Sequence, residues 1–164
     1  MLTRIARRQS APWVVAGALV IALISASCQT PSPGPPPFEQ AVKEHLSAII
    51  ARDMDALVPT LTGQNALTMI APNGARLDTR QQFIDFHRQW FATNDDGKYE
   101  WEIVRLIESP ALGHALIKYR YTSKDSAGAQ QVMDSWLALT FAVEDGRWRL
   151  VFDQNTMIAP GSAK

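Results

Sequence analysis

The sequence predicts an α+β domain in which about three N-terminal helices lie under a curved antiparallel sheet. Two observations carry this. Between Phe38 and Phe91 apolar residues recur at helical spacing, and from Tyr99 onward the period shifts to the two-residue alternation of strands. Helices first and strands afterwards is the α+β order. A curved sheet folded over a long helix accounts for a one-sided helix stripe and half-buried strands together.

The first helix is FEQAVKEHLSAIIAR, whose Phe38, Val42, Leu46, Ile49 and Ile50 form one apolar stripe. Asp53 is placed to cap a short second helix through Met54, Ala56 and Leu57, which Pro59 limits or kinks. ALTMI and the segment after APNG read as two short strands joined at Asn73-Gly74. A third helix follows, with Asp78 as N-cap, Gln81 three residues on, and Phe83, Phe86, Trp90 and Phe91 as its apolar side. Four β-rich stretches complete the domain: YEWEIVRLI, HALIKYRY, QVMDSWLALTFAV and RWRLVFDQ. Pro110 to Gly113, Asp125 to Gly128 and Asp145-Gly146 supply the turns.

Ahead of this domain stands an export signal, residues 1–27. Arg4, Arg7 and Arg8 make a basic start, VVAGALVIALI (Val14 to Ile24) is uncharged and short for a bilayer span, and Ser25-Ala26-Ser27 are small. Cys28, the single cysteine, follows at once, so no internal disulfide is possible. The arrangement resembles the lipobox of bacterial lipoproteins, which implies a lipid on the Cys28 thiol. Ser25 departs from it, since Leu, Val or Ile is usual there. The implied location is the cell-envelope membrane, the outer one in a Gram-negative cell. The alternative is cleavage without lipidation, giving a soluble secreted or periplasmic protein. Residues 28–37 then form the lipidated cysteine and a proline-rich, extended tether. The domain itself is expected over 38–158, with a tail at 159–164.

Removing the leader takes away three arginines, leaving 13 bases against 16 acids. That balance, with no Lys/Arg run, gives no support for nucleic-acid binding. Glycine-rich phosphate loops and metal-ligand histidine spacings are lacking, so no cofactor and no metal are expected.

The order of elements, with ARDMDALV, PNG and the closing DGRWRLVFDQNT, resembles the nuclear transport factor 2-like superfamily in its SnoaL-like branch. The resemblance implies a cone: a strongly bent sheet around helices with an apolar cavity between. It also implies a homodimer packed sheet to sheet, although Glu100, Glu102, Lys118 and Arg120 argue against a greasy interface. Members include steroid isomerases, polyketide cyclases, dehydratases and epoxide hydrolases, alongside binding proteins, so fold leaves function open. On the steroid-isomerase pattern, Ala71 stands where the general-base aspartate belongs, His45 where a helix tyrosine belongs, and Asp134 at the carboxylic acid of a middle strand. The Asp-Arg-Asp set of epoxide hydrolases is not found.

The resulting expectation is binding of a small apolar or ring-shaped molecule in the cone by Trp90, Trp101, Tyr119, Asp134, Trp136 and Gln154. The alternative is a lyase or isomerase using Asp134 and His45, and a third reading is a dimeric interaction module. Asp134 shares strand parity with Val132, Trp136, Ala138 and Thr140. Facing the cavity, burial would raise its pKa and make it a proton donor; otherwise it pairs with Lys118 or Arg120. His45 either projects into the cone or is a hydrogen-bonded histidine at the helix edge, while His87 reads as structural and His114 as exposed. Simple alternation in the last strand puts Gln154 inside with Trp148, Leu150 and Phe152. It puts Asp153 on the outer surface beside an arginine, and leaves Asn155 and Thr156 to satisfy backbone groups.

Overall fold

The structure, a computed structural model, describes residues 34–93 and 97–159. The leader and Cys28 lie outside the described residues. Helix α1 (Phe38–Ala51) buries Phe38, Val42, His45, Leu46 and Ile49 along one stripe. It ends at Arg52, whose left-handed backbone (φ 54°) turns its N–H onto the Ala48 and Ile49 carbonyls. Asp53 caps α2 (Met54–Leu57) by accepting the Ala56 N–H at 3.0 Å. Pro59 sits in the 3₁₀ turn Val58–Thr60 that closes it.

Strands β1 (Ala66–Ile70) and β2 (Arg76–Thr79) are joined through Asn73-Gly74. Gly74 takes φ 81°, a region that favours glycine, and Asn73 accepts the Ala75 N–H. Helix α3 (Arg80–Phe91) begins one residue later than Asp78 suggests. Thr79 is the cap: its hydroxyl accepts the Gln82 N–H at 3.2 Å, and the Gln82 side chain returns to the Thr79 N–H. The Asp78 carboxylate instead holds Arg76 at 2.8 Å.

The remaining strands are β3 (Lys98–Glu108), β4 (Leu112–Lys124), β5 (Gln130–Glu144) and β6 (Arg147–Met157). The six-stranded curved sheet runs β2-β1-β6-β5-β4-β3. The α+β class and the sheet over helices are as the sequence predicts. One pairing differs: β1 lies parallel to β6, so the sheet is mixed. No hairpin links these two strands, and nothing local dictates their direction. Between β5 and β6, Asp145 (φ 50°) and Gly146 (φ 71°) make the two-residue turn that suits strand twist.

Besides a register shift between Ala66 and Met69 in β1, two bulges break the alternation in the long strands. Thr140 pairs with Phe152 and Phe141 with Leu150, leaving Val151 as an extra residue in β6; likewise Val104 is extra in β3, between Ile103 and Arg105. At one end of the sheet α1 packs directly on the inner face. Phe38 lies over Gly113, where an added Cβ would come within 2.5 Å of the ring. Its ring meets Phe141 and Trp148 at 5.6 and 5.0 Å between centroids. The Trp148 Nε1–H donates to the Pro36 carbonyl at 2.9 Å, tying the segment before α1 to the sheet.

Replacing Thr79 with alanine is expected to cost about 1 kcal/mol of stability, as loss of a helix cap does. Asp78→Ala, at an exposed site outside the cap, should change stability by less than about 0.5 kcal/mol. Urea unfolding of the two variants checks the assignment, and equal losses would contradict it.

Candidate functional site

Away from the Phe38 end, helix and sheet diverge and enclose a cavity of about 200 Å³. Leu46 and Ile49 of α1, His87 and Trp90 of α3, and the inner face of the sheet line it. Ile50 and Phe86, 43% and 37% exposed, are its most open lining residues and mark the mouth. The sheet wall is aromatic because register sets Tyr99 opposite Tyr121 and Trp101 opposite Tyr119. Tyr99 packs on both tyrosines, with ring centroids 5.1 and 5.0 Å apart. Arg52 holds the far end of α3 by donating to the Thr93 carbonyl at 2.9 Å.

Among the described residues one carboxyl group faces this apolar interior, and it is Asp153. The Val151 bulge reverses the inward face of β6, so Trp148 and Leu150 point in before it and Asp153 and Asn155 after it. Asp153 is 3% exposed. Asn155 supports it through a connected set of hydrogen bonds. The Asn155 Nδ2 group donates to Asp153 Oδ1 at 2.8 Å and to the Ile70 carbonyl at 3.2 Å, while the Tyr119 hydroxyl donates to Asn155 Oδ1 at 3.0 Å. A carbonyl oxygen only accepts, so the Ile70 contact fixes the amide orientation.

Burial pushes the Asp153 carboxyl up to about 7, with the Asn155 bond opposing the rise. Because Oδ1 already accepts from Asn155, the proton of the neutral form belongs on Oδ2. The group is therefore a hydrogen-bond donor below neutrality and a base above it. Burial raises the pKa of both neighbouring phenols, so Tyr99 and Tyr119 stay protonated as donors.

A model of the SnoaL-like domain matches residues 39–160. The chain belongs to the SnoaL-like domain family. Solved structures share its fold. A candidate calcium/calmodulin-dependent protein kinase type II association domain from Thiobacillus denitrificans is 17% identical, with TM-score 0.65 over 77% of this chain and 99% of that one. A ketosteroid isomerase-like protein from Erwinia carotovora atroseptica is 16% identical, with TM-score 0.63 over 74% and 94%. A candidate dehydratase of the NTF2-like family from Streptomyces avermitilis is 12% identical, with TM-score 0.64 over 73% and 93%. At these identities the likeness is one of fold. No functionally curated protein matches the chain.

In this SnoaL-like domain the residues singled out from sequence divide between two faces. Trp90, Trp101 and Tyr119 line the cavity. Asp134, Trp136 and Gln154 do not, which corrects the expected cavity set. The inward residues of β5 are Ser135, Leu137, Leu139 and Phe141, so Asp134 and Trp136 lie on the outer face, and Trp136 is 37% exposed. Asp134 makes a two-pronged pair with Arg120 at 2.7 and 2.8 Å, and the guanidinium holds its carboxyl below the usual range. That arrangement removes the proton-donor role considered for it. Gln154, after the bulge, pairs with Ala138 on the outer face. Asp153, placed outside by simple alternation, is the group inside.

His45 is fully buried but lies off the cavity, its Nδ1 2.7 Å from the Thr60 hydroxyl. Burial lowers its pKa to about 3, which keeps it neutral. His87 is buried and lines the cavity. His114 is half-buried against Thr140. Among the described residues no cluster of three or more His, Cys, Asp or Glu is arranged to hold a metal ion.

Asp153 and Asp134 should titrate with opposite signs. The folded-state pKa of Asp153 lies above its unfolded value near 3.8, so its stabilising contribution is complete below pH 3.8. It is lost as pH rises to about 7 and is flat beyond, a change on the order of 4 kcal/mol. Asp153→Asn should therefore gain on wild type between pH 4 and 7. Asp134, whose pKa is depressed, contributes above its unfolded pKa and loses that contribution in acid. Chemical unfolding across pH 3 to 8 reads both. A wild-type to Asp153→Asn difference that does not vary with pH would contradict the buried acid.

Proposed function

We propose that the SnoaL-like domain binds a small, mainly apolar ring molecule that carries one polar end. The cavity is the observation behind this reading. It is aromatic and aliphatic on nearly every side, with Asp153, Asn155 and Tyr119 gathered at one place. Its volume argues for size. A dry apolar cavity of about 150 Å³ accepts benzene, so about 200 Å³ suits one ring or a compact pair and not four fused rings.

A second reading is proton transfer on such a molecule, and Asp153 favours it. A carboxyl held near 7 in a water-poor site matches the needs of a general acid or base at neutral pH, and Tyr119 lies within the same hydrogen-bonded set. Asp153 takes the place of Asp134 and His45 in this version, and the reaction class remains a lyase or isomerase. The ketosteroid isomerase-like and dehydratase-like structural neighbours are compatible with it.

We further propose that the protein works from a membrane anchor on Cys28. The basic start, the uncharged run Val14 to Ile24, the small residues before Cys28 and the proline-rich stretch after it support this. Among the described residues no helix is long and apolar enough to cross a membrane.

One-ring compounds such as toluene, in excess, should raise the melting temperature by several degrees, because a ligand that binds only the folded state stabilises it by mass action. A four-ring steroid should not. Absence of a shift with every one-ring compound tested, or a larger shift with the steroid, would sink the size argument. For the anchor, Cys28→Ser should abolish labelling by a radioactive fatty acid and release the protein into the soluble fraction. A wild-type protein that takes up no label would overturn it.

A further inference from the structure

His87 offers the cavity something the Asp153 group does not. Its Nδ1 lies 2.9 Å from the Phe83 carbonyl oxygen. That oxygen has no hydrogen to give, so Nδ1 carries the ring proton and Nε2 is a bare lone pair. The ring is 2% exposed and stands in the cavity wall contributed by α3. Its surroundings are aromatic: Phe83 stacks on it at 4.1 Å, and Phe86, Trp90 and Phe91 meet it between 5.2 and 5.9 Å. Among the described residues nothing donates to Nε2.

His45 shows that this is a particular arrangement. The Thr60 hydroxyl donates to the Leu57 carbonyl at 2.7 Å, so it accepts from His45 Nδ1, and His45 Nε2 is also bare. Yet His45 sits behind the cavity with its lone pair sealed in protein. Of the two histidines only His87 is a lining residue of the cavity. A donor brought in by a ligand would give the His87 acceptor a partner inside the cavity.

We propose that His87 Nε2 is the ligand's hydrogen-bond acceptor and selects, among one-ring molecules, those bearing a hydroxyl group, phenols in particular. This inference rests on the binding reading above. Burial pushes the His87 pKa down to about 4, which keeps the lone pair available at neutral pH. A hydroxyl placed on the helical wall at His87 leaves the rest of the ring against the tyrosines of the sheet wall. His87 is thus a specificity-determining residue, with no covalent step assigned to it.

Three probes of matched size separate the possibilities: toluene, 4-methylanisole and p-cresol. The first two lack a donor and the third has one. By calorimetry at pH 6, wild-type protein should bind p-cresol about fivefold tighter than 4-methylanisole, the ratio expected of one buried neutral hydrogen bond. In His87→Phe that ratio should fall to near one. A second readout needs no variant. In the wild-type ¹⁵N spectrum the Nε2 signal of His87 should move on adding p-cresol and stay put with toluene, with His45 as internal reference. Equal affinities in wild type, a preference that survives His87→Phe, or a stationary His87 signal at saturating p-cresol each overturns the assignment. If none of the three probes binds, the cavity-binding reading falls and this inference falls with it. Toluene binding without p-cresol selectivity removes only the role of His87.

Discussion

A single inserted residue in the last strand decides what the inside of this domain contains. Without the bulge at Val151, the alternation that buries Trp148 and Leu150 would carry on to Phe152 and Gln154. The cavity would then be lined by a phenyl ring and an amide. With it, the strand changes face and delivers Asp153 and Asn155 inward, where the Asn155 amide accepts from the Tyr119 hydroxyl and donates to one Asp153 carboxyl oxygen. The acid of the interior follows from that shift. Asp153 is costly to ionise because it is surrounded by apolar side chains, and Asn155 is tied to Ile70 and Tyr119 so that it supports the carboxyl in one orientation.

The cavity itself results from unequal packing along α1. At the Phe38 end the helix meets the sheet at Gly113, where no side chain intervenes, and the aromatic cluster with Phe141 and Trp148 leaves no room. At the other end the facing residues are Tyr99, Trp101 and Tyr119, whose size holds helix and sheet apart. The bulge at Val104 in β3 and the one at Val151 in β6 add local bending on either side of β4 and β5.

Much of this was legible in the residues, and the misses have physical causes. Asp53, Asn73-Gly74 and Asp145-Gly146 act through local geometry, so sequence alone locates them. The helix cap was one residue off because Asp78 and Thr79 are both good caps. The Thr79–Gln82 spacing of a reciprocal capping box was the deciding signal. Asp134 and Gln154 were misplaced for a different reason. Alternation reports which residues share a face, but it does not say which face is inside, and it fails altogether across a bulge. The three consecutive apolar residues Leu150, Val151 and Phe152 were the mark of that break, since a regular half-buried strand would interpose a polar one. The sequence alone presents His87 as structural, because its tautomer is set by the Phe83 carbonyl and leaves no mark in residue spacing.

The placement of β6 between β1 and β5 bears on how the chain acquires its structure. Strand β6 joins the β1–β2 hairpin to the β3–β5 meander, so without it the sheet is only two separate pieces. Contacts of such long sequence separation form late and slowly. The domain therefore cannot complete its sheet until β6 pairs along both of its edges.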